Sequence, residues 1–147
     1  QQRPGAGGRH LLDVGAEAGL PGVVVAICCP HIQVACVDAV AKKMAFVRQA
    51  QVALGLTNVQ AHHARVETLS GAHDIVCSRA FSSLVDFVKG TCHLMGPGAF
   101  WLAMKGQEPV GEMIALPSGV AVFHVEPLVV PGLDAQRCIV WMEPTTS

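Results

Sequence analysis

Acidic residues, glycines and basic residues recur in this chain where short apolar runs stop. Leu11-Leu12 ends in Asp13-Val14-Gly15, and Gly19-Leu20-Pro21-Gly22 leads into Val23-Val24-Val25-Ala26-Ile27. Glycines in a loop between a strand and a helix let a ligand approach the backbone. A helix start offers N–H groups to anionic parts of a ligand. Asp38 closes the run from Gln33, about 20 residues beyond that loop, where a carboxylate accepts hydrogen bonds from ribose hydroxyls. Arg79 and Lys105 close two later runs. A guanidinium or an ammonium there is a solvated strand-end charge or a contact for an anionic group. Together the loop and Asp38 describe a site for a nucleotide-like cofactor.

The elements that must carry them follow from periodicity. Buried strands are expected at Leu11-Leu12, Gln33–Asp38, Asn58–Ala61, His73–Arg79 and Ala99–Lys105, with two more at Val120–Val125 and Cys138–Met142. A helix is expected from about Pro21 to Cys29, since Pro suits a first helical turn and Pro30 stops it. Val40, Met44, Val47, Ala50 and Leu54 recur at helical spacing, and Gly55 is a plausible stop. Leu84, Val85, Phe87, Val88, Cys92 and Leu94 predict another helix, and 107–116 a short one. Gly96-Pro97-Gly98 reads as a turn. Alternating strands and helices predict an α/β fold with a mostly parallel sheet and right-handed crossovers. The last two strands have no convincing helix between them, which predicts an antiparallel strand at one edge. In such a sheet the first loop, Arg79 and Lys105 all reach the carboxyl edge, where ligands bind.

Composition bounds the function. The 147 residues suffice for one domain with a sizeable core. They are 51% hydrophobic and 14% charged, which suits strands buried on both faces. No apolar run reaches the roughly 18 residues that span a bilayer. Residues 1–9 read as a flexible lead-in and 10–147 as the domain; the first residues lack the apolar core of a signal peptide, and the absence of an initial Met points to a fragment. The six cysteines show no C-x-x-C pair and read as free thiols in a reduced cytosol. The seven histidines are scattered, and neighbours such as His62-His63 face opposite ways on a strand, so no metal site is expected. A net charge of −1 gives no global attraction to nucleic acid, so a basic surface for RNA must be local.

Asp38 serves a nicotinamide dinucleotide and S-adenosylmethionine alike. Gly15, Gly19 and Gly22 do not fit the G-x-G-x-x-G spacing that a pyrophosphate needs. Seven strands with a final pair also favour a methyltransferase sheet, and an oxidoreductase is the weaker reading. The segments Asp13-Val14-Gly15, Ala18–Gly22, Ala41–Phe46, Ala64–Glu67, Ser78–Leu84, Ala103–Gln107 and Val130–Arg137 resemble the GidB/RsmG family of bacterial methyltransferases. Ser78-Arg79-Ala80-Phe81 and Lys105-Gly106-Gln107 are the specific ones. The resemblance implies a class I, Rossmann-like domain that binds S-adenosylmethionine and methylates the seven-position nitrogen of a guanine in 16S ribosomal RNA. It implies cofactor contacts at Gly15, Gly19, Leu20, Val66, Glu67 and Arg79, with Asp38 on the ribose and Val66-Glu67 on the adenine. It also implies a cytoplasmic protein, expected to be a monomer, whose partner is the small ribosomal subunit or its precursor RNA.

The chain departs from the family in two ways. Glu17 and Ala16 stand where the family has a glycine and a small hydroxyl residue, which predicts weaker cofactor binding. Only nine residues precede the first strand, where the family carries a helical segment. Two alternatives therefore stay open: a cofactor-binding module without turnover, and an RNA-binding protein without catalysis. The guanine nitrogen has an available lone pair, so the reaction needs alignment and exclusion of water more than a base. Arg79, Lys105 and Arg137 are the candidate substrate contacts. Asp13 divides between a loop-holding role and a cofactor contact. Lys42 and Lys43 read as a solvated face or a phosphate contact. Trp101 and Trp141 read as core, and Phe81 as core or a stacking platform.

Overall fold

The structure, a computed structural model, describes residues 9–15, 21–79, 83–129, 132 and 137–145. The strands are β1 (His10–Val14), β2 (Gln33–Asp38), β3 (Val59–His63), β4 (His73–Ser78), β5 (Met95–Lys105), β6 (Val120–Leu128) and β7 (Arg137–Pro144). The helices are α1 (Gly22–Cys28), α2 (Ala41–Leu54), α3 (Leu84–Thr91) and α4 (Val110–Ile114), with 3-10 turns at Val66–Thr68 and Cys92–Leu94. The sheet order is β3-β2-β1-β4-β5-β7-β6. All pairings from β3 to β5 are parallel, and β7 runs antiparallel to both β5 and β6. The expected antiparallel strand is therefore β7, second from the edge, and β6 closes the sheet.

Each face of the sheet carries its own core. Leu11, Val34, Cys36 and Val59 pack with Val23 and Ala26 of α1 and Met44 and Val47 of α2. On the opposite face Leu12, Val14, Val37, Val76 and Val140 pack with Leu84, Phe87 and Val88 of α3. Burial on both faces explains the near-continuous apolar strands. Trp101 is buried, and its indole N–H donates to Thr91 Oγ1 at 2.9 Å. That hydroxyl donates in turn to the Phe87 carbonyl at 2.6 Å, so this buried polar pair is satisfied. Trp141 is half-buried against His124, with ring centroids 4.9 Å apart.

The helix boundaries follow local chemistry. Gly55, at φ 64°, ends α2 as the spacing predicts, with its N–H and that of Leu56 returning to the last turn. Asn58 is not the first residue of β3. Its amide is buried and reaches the Ala26, Cys29 and Ile32 carbonyls, closing the C-terminal end of α1. Gly96-Pro97-Gly98 is not a separate turn but an irregularity within β5. His73 pairs with Met95, and the register resumes at Ile75 with Phe100, so the extra residues bulge out of the ladder.

Candidate functional site

The carboxyl ends of β1, β2 and β3 surround a cavity of about 230 Å³. Val14, Val37, Ala64 and Val66 give it apolar walls, and Asp38 and Glu67 supply carboxylates. Gly15 stands at its base with φ 69°, which favours a residue without Cβ. Its N–H donates to the Val37 carbonyl at 2.9 Å, so the glycine joins β1 to β2 while leaving the wall bare.

Asp38 is held before any ligand arrives. Its Oδ1 accepts from the Val40 N–H at 2.7 Å, which fixes the entry to α2. Its Oδ2 lies 3.9 Å from Lys43 Nζ. Lys43, in the unfavourable first turn of a helix, is thus explained by a carboxylate beside it. Across the cavity the turn Val66–Thr68 hangs on the Arg65 carbonyl, which accepts from the Thr68 N–H and hydroxyl. The N–H groups of Val66 and Glu67 open that turn, where backbone donors have no helical partner. An accepting carboxylate, two backbone N–H donors and apolar walls are the groups that suit a ribose and an adenine.

Asp13 takes the structural alternative. It is fully buried, and its Oδ2 accepts from the Gly22 N–H at 2.7 Å. The start of α1 therefore spends its first donor on Asp13. A Cβ at Gly22 would lie 2.7 Å from Asp13 Oδ2 and 2.8 Å from Cys36 Sγ, so the helix approaches the sheet this closely only through glycine. Asp13 Oδ1 is buried with no hydrogen-bond partner among the described residues. Burial pushes the Asp13 carboxyl up to about 7, against the Gly22 hydrogen bond that lowers it. The flanking thiols of Cys36 and Cys77 are also raised, first by burial and then by the nearby carboxyl.

Arg79 follows β4, exposed, and shares a narrow crevice with Ser83 and Lys105. Lys105 is not a free strand-end charge: its Nζ lies 2.9 Å from Glu112 Oε1 on α4. The same oxygen accepts from the Leu84 N–H at the start of α3 at 2.9 Å. Glu112 and Arg65 are site residues that sequence reasoning missed. Glu112 sat on an expected short helix with no spacing to tie it to Lys105, whereas Arg65 followed a strand just as Arg79 does. Arg137 opens β7 and lines a second cavity of about 400 Å³ with Gln107, Glu108, Leu128 and Cys138. Gly15, Asp38, Val66 and Glu67 are thus brought together, Arg79 and Lys105 lie further along the same edge, and Arg137 lies beyond them. Gly19, Leu20, Glu17, Ala16 and Phe81 lie outside the described residues.

This strand order, with the cavity at the carboxyl ends of β1 to β3, is the class I methyltransferase fold. TrmN from Thermus thermophilus superposes with a TM-score of 0.77 at 21% identity, covering 94% of this chain and 44% of that one. Coclaurine N-methyltransferase, solved with S-adenosylhomocysteine, superposes at 0.70 with 13% identity, covering 84% and 46%. Residues 4–140 match the GidB family model, rRNA small subunit methyltransferase G, and the chain belongs to that family. The ribosomal RNA small subunit methyltransferase G of Polaromonas naphthalenivorans is 56% identical over 139 residues, which are 95% of this chain and 63% of that protein. The one from Methylibium petroleiphilum is 61% identical over 133 residues, 90% and 60% respectively. The chain therefore spans about three fifths of the length of these curated relatives.

Proposed function

We propose that this chain is the catalytic domain of an S-adenosylmethionine-dependent methyltransferase that modifies the seven-position nitrogen of a guanine in 16S ribosomal RNA. It would act as a monomer in the cytoplasm, on the small ribosomal subunit or its precursor. The observation that carries the reading is the cavity between Asp38 and the Val66-Glu67 turn, in a chain of this family. When bound there, S-adenosylmethionine supplies a methyl group made electrophilic by its sulfonium.

The rest is the work of the chain's own residues. Asp38 accepts hydrogen bonds from the ribose hydroxyls with the oxygen that Val40 leaves open. The Val66 N–H and the Glu67 carboxylate face the adenine edge. Val14, Val37 and Ala64 exclude water from the rings. The family resemblance adds Gly19 and Leu20 to the cofactor contacts, and Arg79 reaches the cofactor or an RNA phosphate. Lys105, oriented by Glu112, keeps N–H donors for a phosphate or the guanine oxygen. No residue needs to remove a proton, because the guanine lone pair is available; holding it in line with the donor is the main requirement.

Calorimetric titration with S-adenosylhomocysteine tests this for the chain and two variants, Asp38→Ala and Glu17→Gly. The chain is expected to bind with a dissociation constant on the order of micromolar. Asp38→Ala should bind about tenfold to a hundredfold more weakly, the loss of hydrogen bonds to a charged group. Glu17→Gly should bind more tightly. Binding by none of the three, with no methyl transfer to small-subunit RNA, would overturn the assignment.

A further inference from the structure

The largest cavity described above has no part in the cofactor site. It is about 400 Å³ and lies between the residues after β5 and the facing ends of β6 and β7. Because β7 is antiparallel, the end of β5, the end of β6 and the start of β7 share one sheet edge, with Lys105 opposite Cys138 and Leu128 opposite Arg137. This is also the edge that carries the Asp38 cavity.

The cavity's lining is divided. Half-buried Val125 and Leu128 and the buried Cys138 give it apolar walls, Pro127, Gln107 and Glu108 are exposed, and the half-buried Arg137 also lines it. Val129 on the rim is an apolar side chain 92% exposed. A flat aromatic ring with polar edges fits such a lining. Sequence-reading proteins take splayed-out bases of single-stranded RNA by stacking the face on aromatic rings or arginine planes and hydrogen-bonding the edge, and of these groups the described lining holds Arg137. In the order β1-β4-β5-β7, the cavity stands three strand spacings from β1, or about 14 Å. Lys105, assigned above to the target nucleotide, pairs with Cys138 of this cavity, so the cavity adjoins the target and suits a neighbouring nucleotide.

We propose that this cavity seats a base next to the target guanine, and that Glu108 selects a base carrying an exocyclic amino group. The proposal rests on the RNA methyltransferase reading and adds to it a second nucleotide subsite. A carboxylate only accepts hydrogen bonds. It therefore favours the amino group of cytosine, adenine or guanine over the carbonyl that uracil presents at the same place.

Cytidine and uridine oligonucleotides separate this from general attraction, since the phosphates are the same and the bases differ at that edge. The test is fluorescence anisotropy with labelled oligo(C) and oligo(U) RNA in the presence of S-adenosylhomocysteine. The wild-type chain should bind oligo(C) about tenfold more tightly, the worth of one hydrogen bond to a charged group. Glu108→Gln should erase or reverse the preference, because an amide also donates. Leu128→Trp, which fills the cavity, should weaken both oligonucleotides while leaving the thermal midpoint and the cofactor-product affinity in place. Equal binding of the two by wild type, or a preference that survives both substitutions, would overturn the proposal. Failure of wild type to bind S-adenosylhomocysteine would count against the cofactor reading alone, because the oligonucleotide readout needs no methyl transfer.

Discussion

Asp13 shows what one buried carboxyl does to the whole chain. Its folded value near 7 lies above the 3.8 of an exposed aspartate, chiefly through burial. The folded protein thus binds a proton that the unfolded chain releases between those values. Its contribution to stability is fully present below about pH 4 and is lost as pH rises towards 7, at up to about 1.4 kcal/mol per pH unit. His73 works the other way, since burial lowers its value and its charging opposes folding in acid. The difference between wild type and Asp13→Asn isolates the carboxyl. In urea titrations between pH 5 and pH 8, wild type should lose stability relative to Asp13→Asn, and the gap should level off above pH 7 to 8. A gap that does not change with pH would mean that Asp13 stays ionised throughout.

At the scale of elements, α1 approaches β1 through Gly22. Gly22→Ala would put a methyl group against Asp13 Oδ2, Cys36 Sγ and, at 3.1 Å, Asp13 Cβ, on short side chains that are fully buried. The expected cost is about 1–3 kcal/mol, as for overpacked cores. Gly111→Ala on α4 meets nothing within 4 Å and should be neutral or slightly stabilising, since Ala favours helix. Urea midpoints of the two variants compare them directly. Much of this level was legible in the chain. Val40 to Leu54 with Gly55 gave α2 and its left-handed stop, and the bounds of β2 needed no revision. The bulge in β5 and the role of Asn58 were not legible. Each is settled by a partner distant in sequence: β4 for the bulge, and the carbonyls of α1 for the amide.

Over the whole molecule, the question left by a net charge of −1 was where RNA could bind. The topology gathers basic residues at one edge. Lys42 and Lys43 follow β2, Arg65 follows β3, Arg79 follows β4, Lys105 ends β5 and Arg137 opens β7, so all stand at the carboxyl edge. Lys43 and Lys105 are partly neutralised by Asp38 and Glu112. With about three to four phosphates engaged, the logarithm of RNA affinity should fall against that of salt with a slope of about −2 to −3. The affinity for S-adenosylhomocysteine should barely move over the same range. A flat RNA response would place binding elsewhere or make it non-electrostatic.

The sequence by itself determined the alternation of strands and helices, the family, and the residue types that close each strand. Those are local properties, set by periodicity, glycine and proline, and by motifs contiguous in the chain. Only the tertiary structure decided which strand-end residues meet. It joined Asp38 to Val66 and Glu67, gave Lys105 to Glu112, turned Asp13 from the ligand towards Gly22, and opened a second cavity beside Arg137. The physical reason is that strand order is not chain order. The crossovers set β1 between β2 and β4 and fold β7 back between β5 and β6, and side-chain partners are fixed by that arrangement.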